Sequence, residues 1–275
     1  MDVDAVRREL EGTRFADVVW SAETGSTNDD LMAAARDGAA DGTVHVAGHQ
    51  RAGRGRLDRR WEAPPGSSLL CSVLLRPASP AIDWHLLATA AGVAASQAVE
   101  ATCGVRPSLK WPNDLVVIDA AGTRKLAGVL AESAGAGTDD PVLVIGMGCN
   151  VAWPAELPEE LASIATALNH LTPDAPTVDD LLVAYLRALD GWCVRLDVAA
   201  PDERDAAAAM LADSYAERSA TLGRSVRIDT GGVPVEGTAV RVERSGHLVV
   251  DTAAGTVEVA VGDVLHLRHE PEDRR

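Results

Sequence analysis

Lysine is nearly missing from this 275-residue chain: of its 25 cationic side chains, only Lys110 and Lys125 are not arginine. Where arginine fills almost every cationic position, the two remaining lysines mark places where a compact ammonium does what a planar guanidinium cannot. Amides are equally scarce, and Asn28, Asn113, Asn150 and Gln50 each sit in a short irregular segment outside the alanine-rich background. Aromatic residues are few, with one Phe and two Tyr, so the core has to be built from Ala, Val and Leu and the six Trp stand out. Net positive charge is lacking as well. A balance of −16 argues against a protein that binds by neutralising phosphate backbones, and the exception is a basic island of five arginines and one acid from Gln50 to Arg60. Cys71, Cys103, Cys149 and Cys193 show no CxxC or short Cys/His spacing, which excludes a zinc knuckle or disulfide frame and reads as free thiols of a reducing compartment. No stretch approaches the ~18 uninterrupted apolar residues of a membrane span. The polar helical start, Met1 to Leu10, has no signal core, so the expectation is a cytoplasmic protein with no membrane partner.

What is present is an alternation of strand and helix patterns followed by a change of texture. Strands are expected at 17–23, 44–48 and 67–76, with a helix opening at Ser26-Thr27-Asn28 on hydroxyl and amide caps and closing near Gly38. A buried helix spans 83–100, its apolar residues wrapping nearly all round. Four strands follow at 107–111, 114–118, 125–133 and 142–147, and the 119–123 link is a hairpin signal that would bring the two lysine strands close together, antiparallel. Helices dominate 159–220, including 178–196 and 203–219. After Gly223 the chain turns to short alternating runs at 225–229, 233–242, 247–251, 257–261 and 264–267, separated by Gly-containing turns: a small β-barrel near the lower limit of independent stability, leaning on the first domain. The division expected is 1–220 and 221–275.

Five segments carry candidate chemistry. In the loop Gly53-Arg54-Gly55-Arg56, glycines free backbone N–H groups and arginines supply forked donors for a carboxylate or phosphate; a solvated basic loop or an arginine-rich nucleic-acid patch has the same composition. It is not a Walker A loop, since no Gly-Lys-Ser/Thr follows. In Lys110-Trp111-Pro112-Asn113-Asp114, proline breaks the chain between two strands and leaves Asn113 and Asp114 at a strand edge. An ammonium beside a carboxylate there suits a nucleoside triphosphate with magnesium, and equally a turn closed by a salt bridge. By period two, Lys125, Ala127, Val129 and Ala131 share one strand face and Gly128 lies on the other, where it makes room for a ligand. Gly146-Met147-Gly148-Cys149-Asn150 offers close approach and an amide for a base edge. Ser26-Thr27-Asn28, taken alone, is a helix cap.

In this order and spacing the segments Ser-Thr-Asn, Gln-x-x-Gly-Arg-Gly-Arg, Lys-Trp-Pro-Asn-Asp-Leu, Lys-Leu-Ala-Gly-Val-Leu-x-Glu and Gly-x-Gly-x-Asn resemble biotin protein ligases. The resemblance covers roughly residues 17–152, and the terminal β-runs fit the family's SH3-like barrel. It implies an α/β (α+β) fold with a mixed, mainly antiparallel sheet and flanking helices, of the class II synthetase and biotin–lipoate ligase type. It implies an enzyme that joins biotin to AMP at the expense of ATP with Mg2+, then passes the biotinoyl group to a lysine of a biotin carboxyl carrier domain of an acyl-CoA carboxylase. By the same resemblance Ser26, Thr27, Asn28, Gln50, Arg54, Gly55, Arg56, Lys125 and Gly128 would surround biotin. Gly53, Arg54, Arg56, Trp61, Lys110, Asn113, Asp114 and Asn150 would hold ATP, with Trp61 and Asn150 at the adenine and Asp114 toward the metal. Lys125, Lys110 and Arg56 would be the catalytic cations. Two departures stand out. Asp58 replaces a family glycine of the arginine loop, which would weaken loop closure, and the 25 residues before Ser26 are too few for the winged-helix DNA-binding domain some members carry. The expected protein is therefore of the ligase-only class, without DNA as a partner, a monomer or weak homodimer. A lipoate or octanoate ligase or transferase of related fold is the alternative, and a nucleic-acid or protein adaptor without ATP turnover a more distant one.

Overall fold

The structure is a computed structural model, describing residues 1–266 apart from Ala121, Ala199 and Val261. Seven strands form one sheet: β1 (Val18–Ser21), β2 (Val44–Ala47), β3 (Ser68–Leu75), β4 (Ser108–Lys110), β5 (Asp114–Asp119), β6 (Gly122–Ala134) and β7 (Val142–Asn150). Their spatial order is β1-β2-β3-β7-β6-β5-β4, with β1 and β2 parallel and the other neighbours antiparallel. The two lysine strands are thus close together, as expected, but run parallel to each other and not antiparallel. β5 runs between them, and Lys110 pairs in register with Asp114 while Asp114 pairs with Gly128. The hairpin joins β5 to β6.

Helices cover both faces. β3 is buried along its whole length, as its continuous apolar run requires. On one face α3 (Trp84–Cys103), α5 (Val178–Leu196) and α6 (Pro201–Arg218) pack with α1 (Val3–Glu9) against Val73, Leu75, Val129 and Ile145. α3 ends at Gly104, whose φ of +72° supplies the left-handed cap. On the other face lies α2 (Thr27–Arg36), with Leu31 and Ala35 against Leu74 and Val144. Of the helical stretch expected from 159, α4 (Glu159–Ala162) and a single 3-10 turn (Leu168–His170) precede α5.

The terminal unit is a five-stranded antiparallel sheet, β8 (Ser225–Asp229), β9 (Val235–Val242), β10 (Leu248–Thr252), β11 (Gly255–Val259) and β12 (Asp263–His266), in the order β11-β10-β9-β8-β12. Val261 and Leu267, expected in strands, lie outside the described residues. The four cysteines are free, three of them buried, and no described helix is long and apolar enough to cross a membrane.

Candidate active site

A cavity of about 390 Å³ opens on the α2 side of the sheet, within the ~300–1,000 Å³ range of small-molecule pockets. Its floor is bare backbone. Gly128 on β6 stands opposite Gly148 on β7, and the Trp61 indole lies so close above Gly148 that a Cβ there would come within 2.6 Å of the ring. Gly146 leaves the room that Asn28 occupies.

The inner end is a network of hydroxyls and amides. Ser26 takes the N-cap position of α2 but makes no side-chain cap bond; Gln50 Oε1 does that work from a distant loop, accepting from Thr27 N–H at 2.7 Å and from Thr27 Oγ1 at 3.0 Å. Thr27 Oγ1 also meets Ser72 Oγ at 2.7 Å, and Ser72 donates to Asn28 Oδ1 at 2.6 Å. The Asn28 amide then donates to Glu132 at 2.8 Å. Ser72, fully buried, and Glu132 were not among the expected site residues. The signal for Ser72 was a single hydroxyl inside Leu69-Leu70-Cys71-Ser72-Val73-Leu74-Leu75, a strand apolar on both faces.

The outer end is cationic. Lys125 reaches it because β6 carries a bulge: Val116 pairs with Lys125 and Leu115 with Ala127, leaving Leu126 as the extra residue. Period two put Lys125 and Gly128 on opposite faces. The bulge reverses that, and Lys125 Nζ lies within 3.2 Å of where a Gly128 Cβ would stand. Lys125 Nζ pairs with Asp114 at 2.6 Å and sits 5.4 Å from the Trp61 ring centroid. Asn113 Nδ2 donates to the Val129 carbonyl at 2.8 Å. Lys110 and Arg56 complete the group, and burial pulls both below their ordinary pKa; at Lys110 the Asp114 carboxylate opposes that pull and Lys125 adds to it. Six cationic side chains line the cavity against three carboxylates, Asp114, Asp229 and Asp263, which leaves positive charge to spare for an anion.

The arginine loop folds over the cavity as a small hairpin. Arg54 bridges to Arg60, Gly55 N–H donates to the Arg59 carbonyl and Trp61 N–H to the Gly53 carbonyl. Gly53 is needed because a side chain there would strike the Trp61 carbonyl. Arg54 ties the loop to Asp29 at 2.7 Å and Glu132 at 2.5 Å, and Arg59 pairs with Asp263 of the terminal sheet. That sheet contributes Asp229 and Asp263 to the cavity wall, another contribution the motifs did not signal.

All the expected site residues except Gly53 and Asn150 line this cavity. Gly53 lines the neighbouring groove under the loop. Asn150 is buried behind the cavity, donating to the Thr166 carbonyl at 2.9 Å. Its Oδ1 and the Trp61 Nε1 are buried without a hydrogen-bond partner.

A neutral polar pocket that leads into a cationic, loop-covered end, on a sheet with a terminal antiparallel unit, fits an enzyme that activates an acid with a nucleotide. Residues 21–157 match the biotin/lipoate A/B protein ligase family, and residues 221–267 match the biotin protein ligase C-terminal domain. The chain is 40% identical to the biotin–acetyl-CoA-carboxylase ligase of Mycobacterium tuberculosis over 98% of its own length and 96% of the relative's. It is 28% identical to the Paracoccus denitrificans enzyme of the same name, covering 89% of this chain and 98% of that one. Among solved structures, the biotin protein ligase of Aquifex aeolicus in complex with biotin and ATP superposes with a TM-score of 0.73 at 26% identity, over 92% of this chain and 99% of that one. The chain belongs to the biotin protein ligase family and is an enzyme of that kind; its relatives favour biotin over lipoate.

Proposed function

We propose that this protein activates biotin as biotinoyl-AMP and transfers it to a carrier-domain lysine of an acyl-CoA carboxylase, acting in the cytoplasm through residues 1–220 with the 221–275 unit closing the site. The observation that carries the reading is the polarity of the cavity: a neutral hydroxyl and amide network at one end, and Lys125, Lys110 and Arg56 at the other. Thr27, Asn28 and Gln50 bind the ureido ring, whose N–H and C=O groups need both acceptors and donors, and Ser72 holds Thr27 and Asn28 from behind. The biotin carboxylate points at Lys125. A carboxylate oxygen attacks the α-phosphorus of ATP, the bond to the bridging oxygen breaks, and pyrophosphate leaves. Lys125 and Lys110 neutralise charge on the entering carboxylate and the phosphates as it builds up. The carrier amine then attacks the acyl carbon, AMP departs and the amine loses a proton. Trp61 over the glycine floor suits an adenine, which offers a π-face, whereas Asn150, buried outside the cavity lining, serves the fold through the Thr166 carbonyl.

Magnesium fits in one mode. Mg2+ commonly takes one or two carboxylates and completes its shell with phosphate oxygens and water; Asp114 is such a carboxylate, and no cluster of three potential ligands occurs among the described residues. When bound, the ion supplies further neutralisation of phosphate charge. The arginine loop excludes water from the mixed anhydride. Incubation with ATP, Mg2+ and either biotin or lipoate should release pyrophosphate with biotin alone and add one biotinoyl mass to a purified carrier domain. Pyrophosphate release with lipoate only, or with neither acid, defeats the proposal.

A further inference from the structure

The terminal sheet borrows a core residue from the catalytic unit. Trp111, the residue after Lys110, is 3% exposed and packs among Val226, Ile228, Leu248 and Val250 of the barrel. Its backbone N–H donates to Thr221 Oγ1 at 3.1 Å and its indole N–H to the Gly246 carbonyl at 3.0 Å, in the turn between β9 and β10. That turn is gripped from its other side, where Arg244 pairs with Asp205 of α6 and His85 of α3 meets the Arg244 carbonyl. Just before Trp111, the Leu109 carbonyl accepts from Ala220 N–H at 2.8 Å, at the joint between the two units.

We propose that Trp111 is a positioning residue for the nucleotide: the barrel core, through the indole, sets where Lys110 and Asp114 stand. A barrel this small has few apolar side chains, so a Trp-sized plug is a large share of its core. The plug and the cations are covalent neighbours. Lys110 immediately precedes Trp111, Asp114 follows three residues on, and the two pair in register across β4 and β5. Any shift of the indole in its socket therefore moves the ammonium and the carboxylate together. The inner network of Thr27, Gln50 and Ser72 is carried by α2, β3 and the loop after β2, and its hydrogen bonds run among these residues and Asn28, all ahead of the terminal unit in the chain. Loosening the plug should harm one substrate and spare the other, an asymmetry that general destabilisation does not produce. The inference rests on the outer end being the ATP end.

The test uses the full chain with Trp111→Ala, Trp111→Phe and Leu248→Ala, the last a barrel-core residue that does not line the cavity. KM for ATP is measured from biotin-dependent pyrophosphate release, biotin affinity by calorimetry without ATP, and folding by thermal melts. Trp111→Ala should raise KM for ATP by about tenfold with biotin affinity held within about twofold. Leu248→Ala should push in the same direction, and the double variant should do less than the two effects multiplied, because both loosen one joint. Trp111→Phe, which keeps a ring in the socket, should restore most of the ATP affinity. Parallel loss of ATP and biotin binding overturns the proposal, as does a folded Trp111→Ala with wild-type KM. If Trp111→Ala does not fold, Leu248→Ala decides the matter, and an unchanged KM for ATP in that folded variant overturns the proposal. A wild-type protein that releases no pyrophosphate with biotin and ATP removes the catalytic reading itself, before any variant is compared.

Discussion

Leu57 and Asp58 both hold positive φ, +56° and +57°, and Arg59 N–H donates to the Arg56 carbonyl across them at 3.2 Å. This is a type I′ turn, which needs the left-handed region at both central residues and is best served by Asn-Gly. The family's glycine at position 58 has a reason here, yet Asp tolerates this backbone and Leu does not, so Leu57 carries most of the strain, about 1 kcal/mol. Replacing the pair, Leu57→Asn with Asp58→Gly, should favour the closed hairpin and slow escape of biotinoyl-AMP about fivefold, an effect of roughly 1 kcal/mol. Rapid filtration of preformed adenylate measures this, and an unchanged or faster release rate sinks the idea. Lys125→Ala, by contrast, should cut adenylation by about 10²–10³-fold, the usual cost of losing one preorganised charge partner. Its melting temperature should stay near wild type because the side chain is partly exposed and paired only with Asp114 across the cavity mouth; full activity in that variant would remove its assigned role. Both lysines were legible in the sequence through their rarity. Ser72 and Asp263 were not, because each is an ordinary residue type whose duty comes from strands distant in sequence, and Glu132 stood only as the end of the Lys-Leu-Ala-Gly-Val-Leu-x-Glu segment with no duty assigned.

At the scale of elements, the site depends on how one helix and one strand are aimed. α2 starts where Gln50 Oε1 catches the Thr27 N–H, so the cap that positions Thr27 and Asn28 comes from the segment that leads into the arginine loop. Sequence pattern located the helix correctly but looked for its capping bond within Ser26-Thr27-Asn28, since local capping rules see only neighbours. The β6 bulge has the same character. A two-residue alternation predicts the faces of a regular strand, and no residue in Arg-Lys-Leu-Ala announces that Lys125 and Leu126 together oppose Val116. The relative direction of the lysine strands escaped the motifs for the same reason, because the antiparallel pairing of β5 with both of them is a choice that local pattern does not specify. An element-scale test is Ser72→Ala, which deletes the hydroxyl joining Thr27 to Asn28 inside β3. It leaves Asn28 Oδ1 without its 2.6 Å donor in a closed interior. The unpaired Asn28 Oδ1 should cost about 1–3 kcal/mol of folding stability, and biotin affinity should drop severalfold as Thr27 and Asn28 lose the link that orients them, while KM for ATP changes little. Calorimetric titration with biotin checks it, and equal losses for both ligands would show that β3 as a whole had moved.

At the scale of the whole molecule, the barrel was legible from its regular turns, but its dependence on Trp111 was not, since nothing marks which of six tryptophans fills another unit's core. A global property follows instead from His45, buried on β2 between Ser21 Oγ, 3.0 Å from Nε2, and Asp30 Oδ2, 3.2 Å from Nδ1. Burial lowers its pKa below the ordinary 6.5, and Asp30 opposes that shift without cancelling it. The unfolded chain then binds a proton more readily than the folded one, so stability present above pH 6.5 is lost as the pH falls from there toward the depressed folded value. His45→Gln keeps a hydrogen-bonding side chain and removes the titration. The wild-type advantage in melting temperature over this variant should therefore be largest near pH 8 and shrink as the pH is lowered to 5.5, with carboxylate effects common to both proteins cancelling in the difference. If the advantage grows on acidification, the Asp30 attraction outweighs burial, His45 is held as the imidazolium, and the ordering of the two causes is reversed.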